Sequence, residues 1–200
     1  MGARCCNLLA HSARDVDWRK RSRKLQCWFL GQIALVDGNG IVYQLAMSVS
    51  RFLSNDDFAH IVRHAPLLAI DIIIKDPGQN VLVGLRMNEP AKGKYYVPGG
   101  CILKNETIRD AFTRILDGEI GLHASLGDAT FLGVFEHFYE TNRFAHPDYG
   151  THYVILAYKL HLNYRPAVKL DSQHSEIRWM SEAEILSAVD VHPNTKAYFK

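Results

Sequence analysis

The chain has 200 residues, of which 48% are hydrophobic and 22% charged, with a net charge of +2. That length and balance describe one folded domain with room for a tail, and they exclude a disordered or low-complexity chain. The charge is unevenly spread: residues 1–46 carry seven Lys/Arg and three Asp/Glu, and residues 47–200 carry sixteen and eighteen. The main body is therefore near neutral and offers no basic stripe for nucleic acid.

Cys5, Cys6 and Cys27 lie in the first 46 residues, and only Cys101 falls in the main body. No disulfide framework or CxxC metal site can be read there, and the expected setting is reducing and cytoplasmic. No apolar run reaches the roughly 18–20 residues that span a bilayer, so no membrane partner is expected. Residues 19–24 are basic, and residues 27–36 are apolar but interrupted by Gly31 and Gln32. That apolar core starts too late for a secretory signal, and a basic anchoring tail is a second reading. The preferred expectation is an extension, residues 1–46, outside the fold or disordered, with Met47 as the natural start and residues 47–200 as the domain.

Ser54-Asn-Asp-Asp57 is rich in N-cap residues, and Phe58, Ile61 and Val62 then repeat at helical spacing, which predicts a short helix to about His64. Pro66 stops it. Residues 67–75 are apolar and β-branched, a buried strand. Asp71 sits inside it, and a carboxylate there belongs either on a solvated face or in a site. Asp76-Pro-Gly-Gln79 is a turn, and residues 81–86 continue as the second strand of a hairpin ending at Arg86. Residues 130–139 and 151–162 read as strands, the second with Tyr153, Ile155 and Ala157 on one side. A short strand over 176–180, a helix opened by Ser181-Glu-Ala-Glu184 and a last helix over 194–200 complete the chain. Mixed strands and helices indicate an α/β or α+β class with layered α/β/α packing.

Residues 97–122 organise the rest: a strand end, the turn Pro98-Gly-Gly100, a loop and one amphipathic helix. Ile108, Ala111, Phe112, Ile115 and Leu116 form a stripe at helical spacing. Thr107 with Asp110 suits the helix start, and Gly121 a left-handed cap. Arg114 lies within helical reach of Asp110 and Asp117. Glu119, eleven residues after Ile108, returns to nearly the same azimuth. A carboxylate on that side needs a partner such as a metal ion; the plainer reading is that it lies past a fraying last turn.

Gly100, Glu106, Arg114, Glu119 and Gly121 are spaced as in the signature box of Nudix hydrolases, and the region resembles that family. The match is thinned, because Ile115 and Gly118 stand where the usual box has glutamates. The GDP-mannose mannosyl hydrolase branch shows the same thinning. Residues 52–67, 90–100, His137-Phe-Tyr139, Thr151-His-Tyr-Val154, Asp171-Ser-Gln-His174 with Arg178-Trp179, and Val191-His192 with Ala197-Tyr-Phe199 are also similar to that branch.

The resemblance implies a Nudix-fold α/β/α sandwich with a mixed sheet, acting as a homodimer on a nucleotide sugar. Water would attack C1 of the sugar in GDP-mannose, or in GDP-glucose, and release GDP and the free hexose. By the same resemblance Glu119, Gln173 and the carbonyl of Gly99 would hold Mg²⁺, with Mn²⁺ as the alternative metal. His174 would be the general base, and Arg86 and Tyr153, joined by Tyr139 and Arg114, would contact substrate. Asp71 and His137 would position the sugar or the catalytic groups. The chemistry is consistent: a diphosphate leaving group calls for a metal and an arginine, and histidine is tunable as a base near neutrality. Taken singly, Tyr153 reads as a cross-strand aromatic, Gln173 and His174 as loop residues, and Arg86 as an exposed arginine.

One departure stands out. The branch usually has arginine directly after the double glycine, and here that residue is Cys101. Either Lys94 or Lys104 takes over, or the rate is reduced, or the substrate differs. A conventional Nudix diphosphatase cleaving P–O bonds and a weakly catalytic nucleotide-sugar binding module are the rival expectations.

Overall fold

The computed structural model describes residues 53–168 and 174–200, together with the strand backbones of residues 24–29, 32–36 and 42–45. The chain divides into two units, Met1–Ser50 and Arg51–Lys200. In the first unit β1 (Lys24–Phe29), β2 (Gln32–Val36) and β3 (Val42–Leu45) form a three-stranded antiparallel sheet. Residues 24–45 therefore carry strands within the stretch expected to lie outside the fold.

The second unit opens with α1 (Asn55–His64), whose Ser54 side chain caps the Asp57 N–H at 3.1 Å. β4 (Leu67–Lys75) and β5 (Val81–Arg86) follow across the Asp76 turn. Then come β6 (Tyr95–Tyr96), β7 (Gly99–Cys101), α2 (Ile108–Ile120), β8 (Ala129–Tyr139), β9 (Thr151–His161), β10 (His174–Met180), α3 (Glu182–Ser187) and α4 (Pro193–Ala197). The main sheet runs β10-β5-β4-β9-β8, with β6 on β5 and β7 on β4. β4 and β9 are parallel over Leu67↔Tyr153 to Lys75↔His161 and the other pairs are antiparallel, so the sheet is mixed as expected. The expected β4–β5 hairpin pairs only at Lys75↔Val81; β4 instead pairs with β7 and β9.

Side chains alternate across β4, as strand geometry requires. Ile70, Ile72 and Ile74 pack with Phe112, Ile115 and Leu116 of α2. Ile73 faces the other way, with Val83, Tyr95, Ile185 and Val191 under α3 and α4. Asp71 shares the parity of Ile73. The predicted stripe of α2 holds for Ala111, Phe112, Ile115 and Leu116, but Ile108 is 39% exposed. It lies in the first turn, beyond the part of the helix that the sheet covers. Thr107 accepts from the Asp110 N–H at 3.1 Å, and Gly121 adopts φ 71° as the left-handed cap.

Candidate active site

Asp71 is buried at 5% exposure, so it does not lie on a solvated face. Register sets Asp71 opposite Gly99 on β7. A Cβ on Gly99 would lie 2.2 Å from Asp71 Oδ1 and 2.6 Å from the Ile70 carbonyl, so only glycine fits. On the other side of this turn, the Gly99 N–H donates to Glu119 Oε2 at 3.0 Å. Asp71, the double glycine and the C-terminal turn of α2 thus meet at one point.

Arg114 does not pair with Asp110 or Asp117. Its Nε and Nη2 bond Glu106 at 2.7 and 2.8 Å, and Nη2 also reaches the Cys101 carbonyl at 2.8 Å. Glu106 sits in the loop before α2 with its side chain only 1% exposed, and there it also accepts from the Leu103 N–H. A buried carboxylate needs a cation, so the loop draws Arg114 away from the helix surface. The guanidinium expected to touch substrate is committed to holding the glycine loop against α2.

Arg86 is different. Its Nε is buried and makes no hydrogen bond among the described residues. Its positive charge acts on Asp71, Tyr139, Tyr153, Cys101 and His192. Tyr139 and Tyr153 meet edge to face at 5.9 Å, and His192 lies 5.3 Å from the rings of both Tyr96 and Tyr139. A buried donor without a partner is costly unless a ligand completes it.

His137 is 3% exposed, and its Nδ1 lies 3.0 Å from the Tyr96 hydroxyl. Its Nε2 lies 3.3 Å from the Tyr198 hydroxyl, which itself donates to Asp71 Oδ2 at 2.5 Å. Burial pushes the Asp71 carboxyl up to about 7, against the pull of the Tyr198 hydrogen bond and the Arg86 charge. Burial, aided by His192, pushes His137 down to about 4 and keeps it neutral. Burial also raises Tyr153, so it stays protonated.

Cys101 is pushed up to about 11 by burial, and Arg114, Arg143 and Arg86 each pull it back. It remains a thiol and is not a nucleophile. The cations acting on it are these three arginines rather than the lysines considered from sequence. Lys94 donates to the Val189 carbonyl at 2.9 Å, and Lys104 is exposed.

Gln173 lies outside the described residues. His174 is described as backbone only, where it pairs with Arg86 across β10 and β5; its side chain lies outside them too. Tyr96, Tyr198 and His192 were not singled out from sequence, because isolated aromatic and imidazole groups in apolar segments read as core.

The NUDIX domain family model matches residues 65–199. The chain belongs to the Nudix family. The low-salt glycan biosynthesis protein Agl8 of Haloferax volcanii is 38% identical over 126 residues, 63% of this chain and 78% of that protein. The MutT protein of Methanosarcina mazei shares the Nudix fold with a TM-score of 0.56 at 18% identity, covering 68% of this chain and 92% of its own. The NUDIX domain of Shewanella oneidensis NrtR, solved with ADP ribose, has a TM-score of 0.52 at 18% identity, covering 74% and 97%.

Nudix hydrolases use divalent metals, and the residues of this Nudix domain fit one. The Glu119 carboxylate and the Gly99 carbonyl are both oxygen donors, the kind that a hard cation prefers. Glu119 is already at Gly99, and a Cβ there would fill the turn. Among the described residues no three His, Cys, Asp or Glu side chains converge on one point.

Proposed function

We propose that this Nudix hydrolase cleaves GDP-mannose, or the closely similar GDP-glucose, to GDP and free hexose by water attack at the sugar C1. The observation that carries the reading is Arg86, whose buried Nε has no partner among the described residues and whose charge reaches Asp71, Tyr139 and Tyr153. A diphosphate oxygen would complete that donor with a charge-assisted hydrogen bond. The name of Agl8, a glycan biosynthesis protein, supports a nucleotide-sugar substrate.

Attack at carbon rather than phosphorus is supported by what the box lacks. Ile115 is buried in the core against α2's own partners, and Gly118 is exposed with no side chain to offer. Glu119 is then the carboxylate left by the thinned box near the glycine turn. In the proposed roles His174 takes the proton from water, Arg86 and Tyr153 hold the diphosphate, and Asp71 and His137 orient the sugar. Tyr139 lines the same side. Glu119, the Gly99 carbonyl and Gln173 would hold Mg²⁺, which when bound would neutralise charge on the departing diphosphate.

The test is hydrolysis of GDP-mannose in ¹⁸O-water with Mg²⁺, read by mass spectrometry. Label in mannose and none in GDP is the expected result. Label in a phosphate product would assign P–O cleavage instead, and binding without turnover would make the domain a nucleotide-sugar binding module.

A further inference from the structure

Five polar groups from three strands and a helix end line up on the face of the sheet that carries Asp71. Tyr139 and His137 stand two residues apart on β8 and so point the same way. Tyr96 comes from β6, and Tyr198 follows α4. The Tyr139 and Tyr96 hydroxyls are 2.7 Å apart, and Tyr96 to His137 Nδ1 is 3.0 Å. His137 Nε2 to Tyr198 is 3.3 Å, and Tyr198 to Asp71 Oδ2 is 2.5 Å.

With Asp71 ionised, counting hydrogens decides the direction of every bond. A phenol has one O–H, and Tyr198 gives its own to the Asp71 carboxylate. The Tyr198 oxygen can then only accept from His137, so Nε2 carries the hydrogen. A neutral imidazole has one N–H, and burial keeps His137 neutral. Nδ1 is therefore bare and must accept from Tyr96. The Tyr96 oxygen in turn accepts from Tyr139. Burial raises all three phenols, so each keeps the hydrogen it donates.

We propose that Tyr139, Tyr96, His137, Tyr198 and Asp71 form a one-way hydrogen-bond chain that fixes His137 as the Nε2–H tautomer, with Tyr96 and Tyr198 as positioning residues for the Asp71 carboxylate. Aligned bonds polarise one another, so a chain of this kind is stiffer than its separate links. Its role in turnover rests on the reading of Asp71 as a sugar-positioning group; its existence does not. Arg86, Cys101, Tyr153 and His192 surround the chain, and none of them competes for the His137 ring nitrogens in a hydrogen bond among the described residues.

The experiment is long-range ¹H–¹⁵N spectroscopy of the full chain labelled at histidine, without substrate, with the His137 signals assigned by their loss in His137→Gln. The expected pattern is a protonated Nε2 and a bare Nδ1 at about pH 8.5, where the Asp71 carboxyl is ionised and can only accept. Tyr198→Phe keeps the ring but removes the acceptor, and Tyr96→Phe removes the donor to Nδ1. Each is expected to move the two nitrogens toward tautomer averaging. With GDP-mannose, Tyr198→Phe is expected to lower kcat about tenfold, the low end of what lost orienting partners cost a functional histidine, with KM little changed. At that pH a protonated Nδ1, an imidazolium, or Tyr198→Phe spectra matching the parent would overturn the chain. A shifted tautomer with unchanged kcat would overturn the positioning role. Absence of turnover in the parent would sink the substrate reading and the role in turnover while leaving the tautomer result to decide the chain.

Discussion

The Gly99 N–H donates to Glu119 Oε2 at 3.0 Å across twenty residues of chain, tying the start of β7 to the last turn of α2. An amide oxygen can accept the same bond. Glu119→Gln is therefore expected to keep the fold and lose the charge. Its melting temperature should stay close to the parent's, while Mg²⁺-dependent hydrolysis falls by roughly 100-fold or more and excess Mg²⁺ fails to restore it. Titrating Mg²⁺ in a product assay checks this; a variant rescued by Mg²⁺ to the parental rate would show that Glu119 is only a structural acceptor.

Gly99→Ala should fail for a different reason. Its Cβ would meet Asp71 Oδ1 at 2.2 Å and the Ile70 carbonyl at 2.6 Å, and backbone cannot step aside cheaply. A loss of about 1–3 kcal/mol is expected from denaturant midpoints. At Gly100 the nearest atom is Ile115 Cγ1 at 3.2 Å, a longer contact and to a side chain rather than backbone, so Gly100→Ala should cost less.

Arg86→Lys separates binding from stability. The Nε has no partner to lose among the described residues, so thermal stability should hold. Lysine cannot reproduce the planar fork, and GDP affinity should weaken by about 10–100-fold, the value of one or two charge-assisted hydrogen bonds. Calorimetric titration with GDP reads the difference directly.

Asp71 and His137 predict opposite pH slopes. Asp71 titrates at about 7 when folded against 3.8 when free, so the folded state binds its proton more tightly. Rising pH through that window costs stability, by up to about 1.4 kcal/mol per unit. His137 titrates at about 4 when folded against 6.5 when free, so the unfolded state takes its proton first. Its contribution is lost as pH falls from 6.5 toward 4. Relative to the parent, Asp71→Asn should gain stability as pH rises toward 8, and His137→Gln should gain it as pH falls toward 4. Chemical denaturation in EDTA across this range measures both, and parallel curves for parent and variants would contradict the assignments.

Cys101 should be dispensable as a nucleophile. Its thiol is pushed up to about 11, so Cys101→Ser is expected to retain turnover. Cys101→Arg would bring a fourth guanidinium to a position already under the charges of Arg114, Arg143 and Arg86. Lower melting temperature without a faster rate is the expected outcome, and a faster enzyme would show that this position lacks a cation.

The sequence by itself determined the pieces and one end of the site. The stripe over Ala111, Phe112, Ile115 and Leu116, the Thr107 cap and Gly121 define α2, because helical periodicity and capping act within a few residues. The apolar run of residues 67–75 defines β4 for the same reason. Box spacing reached Gly100, Glu106, Arg114 and Glu119 because they share one loop and one helix. What Arg114 bonds was legible only in part: helix geometry offered Asp110 and Asp117, and the burial of Glu106 chose otherwise. Only the tertiary structure decided that Tyr198 meets Asp71 across 127 residues, and that Tyr96 and Tyr139 flank His137. These contacts depend on the strand order β10-β5-β4-β9-β8 and on which face each register presents. Local periodicity reports how deeply a residue is buried, whereas its hydrogen-bond partner is chosen by the packing of segments far apart in the chain.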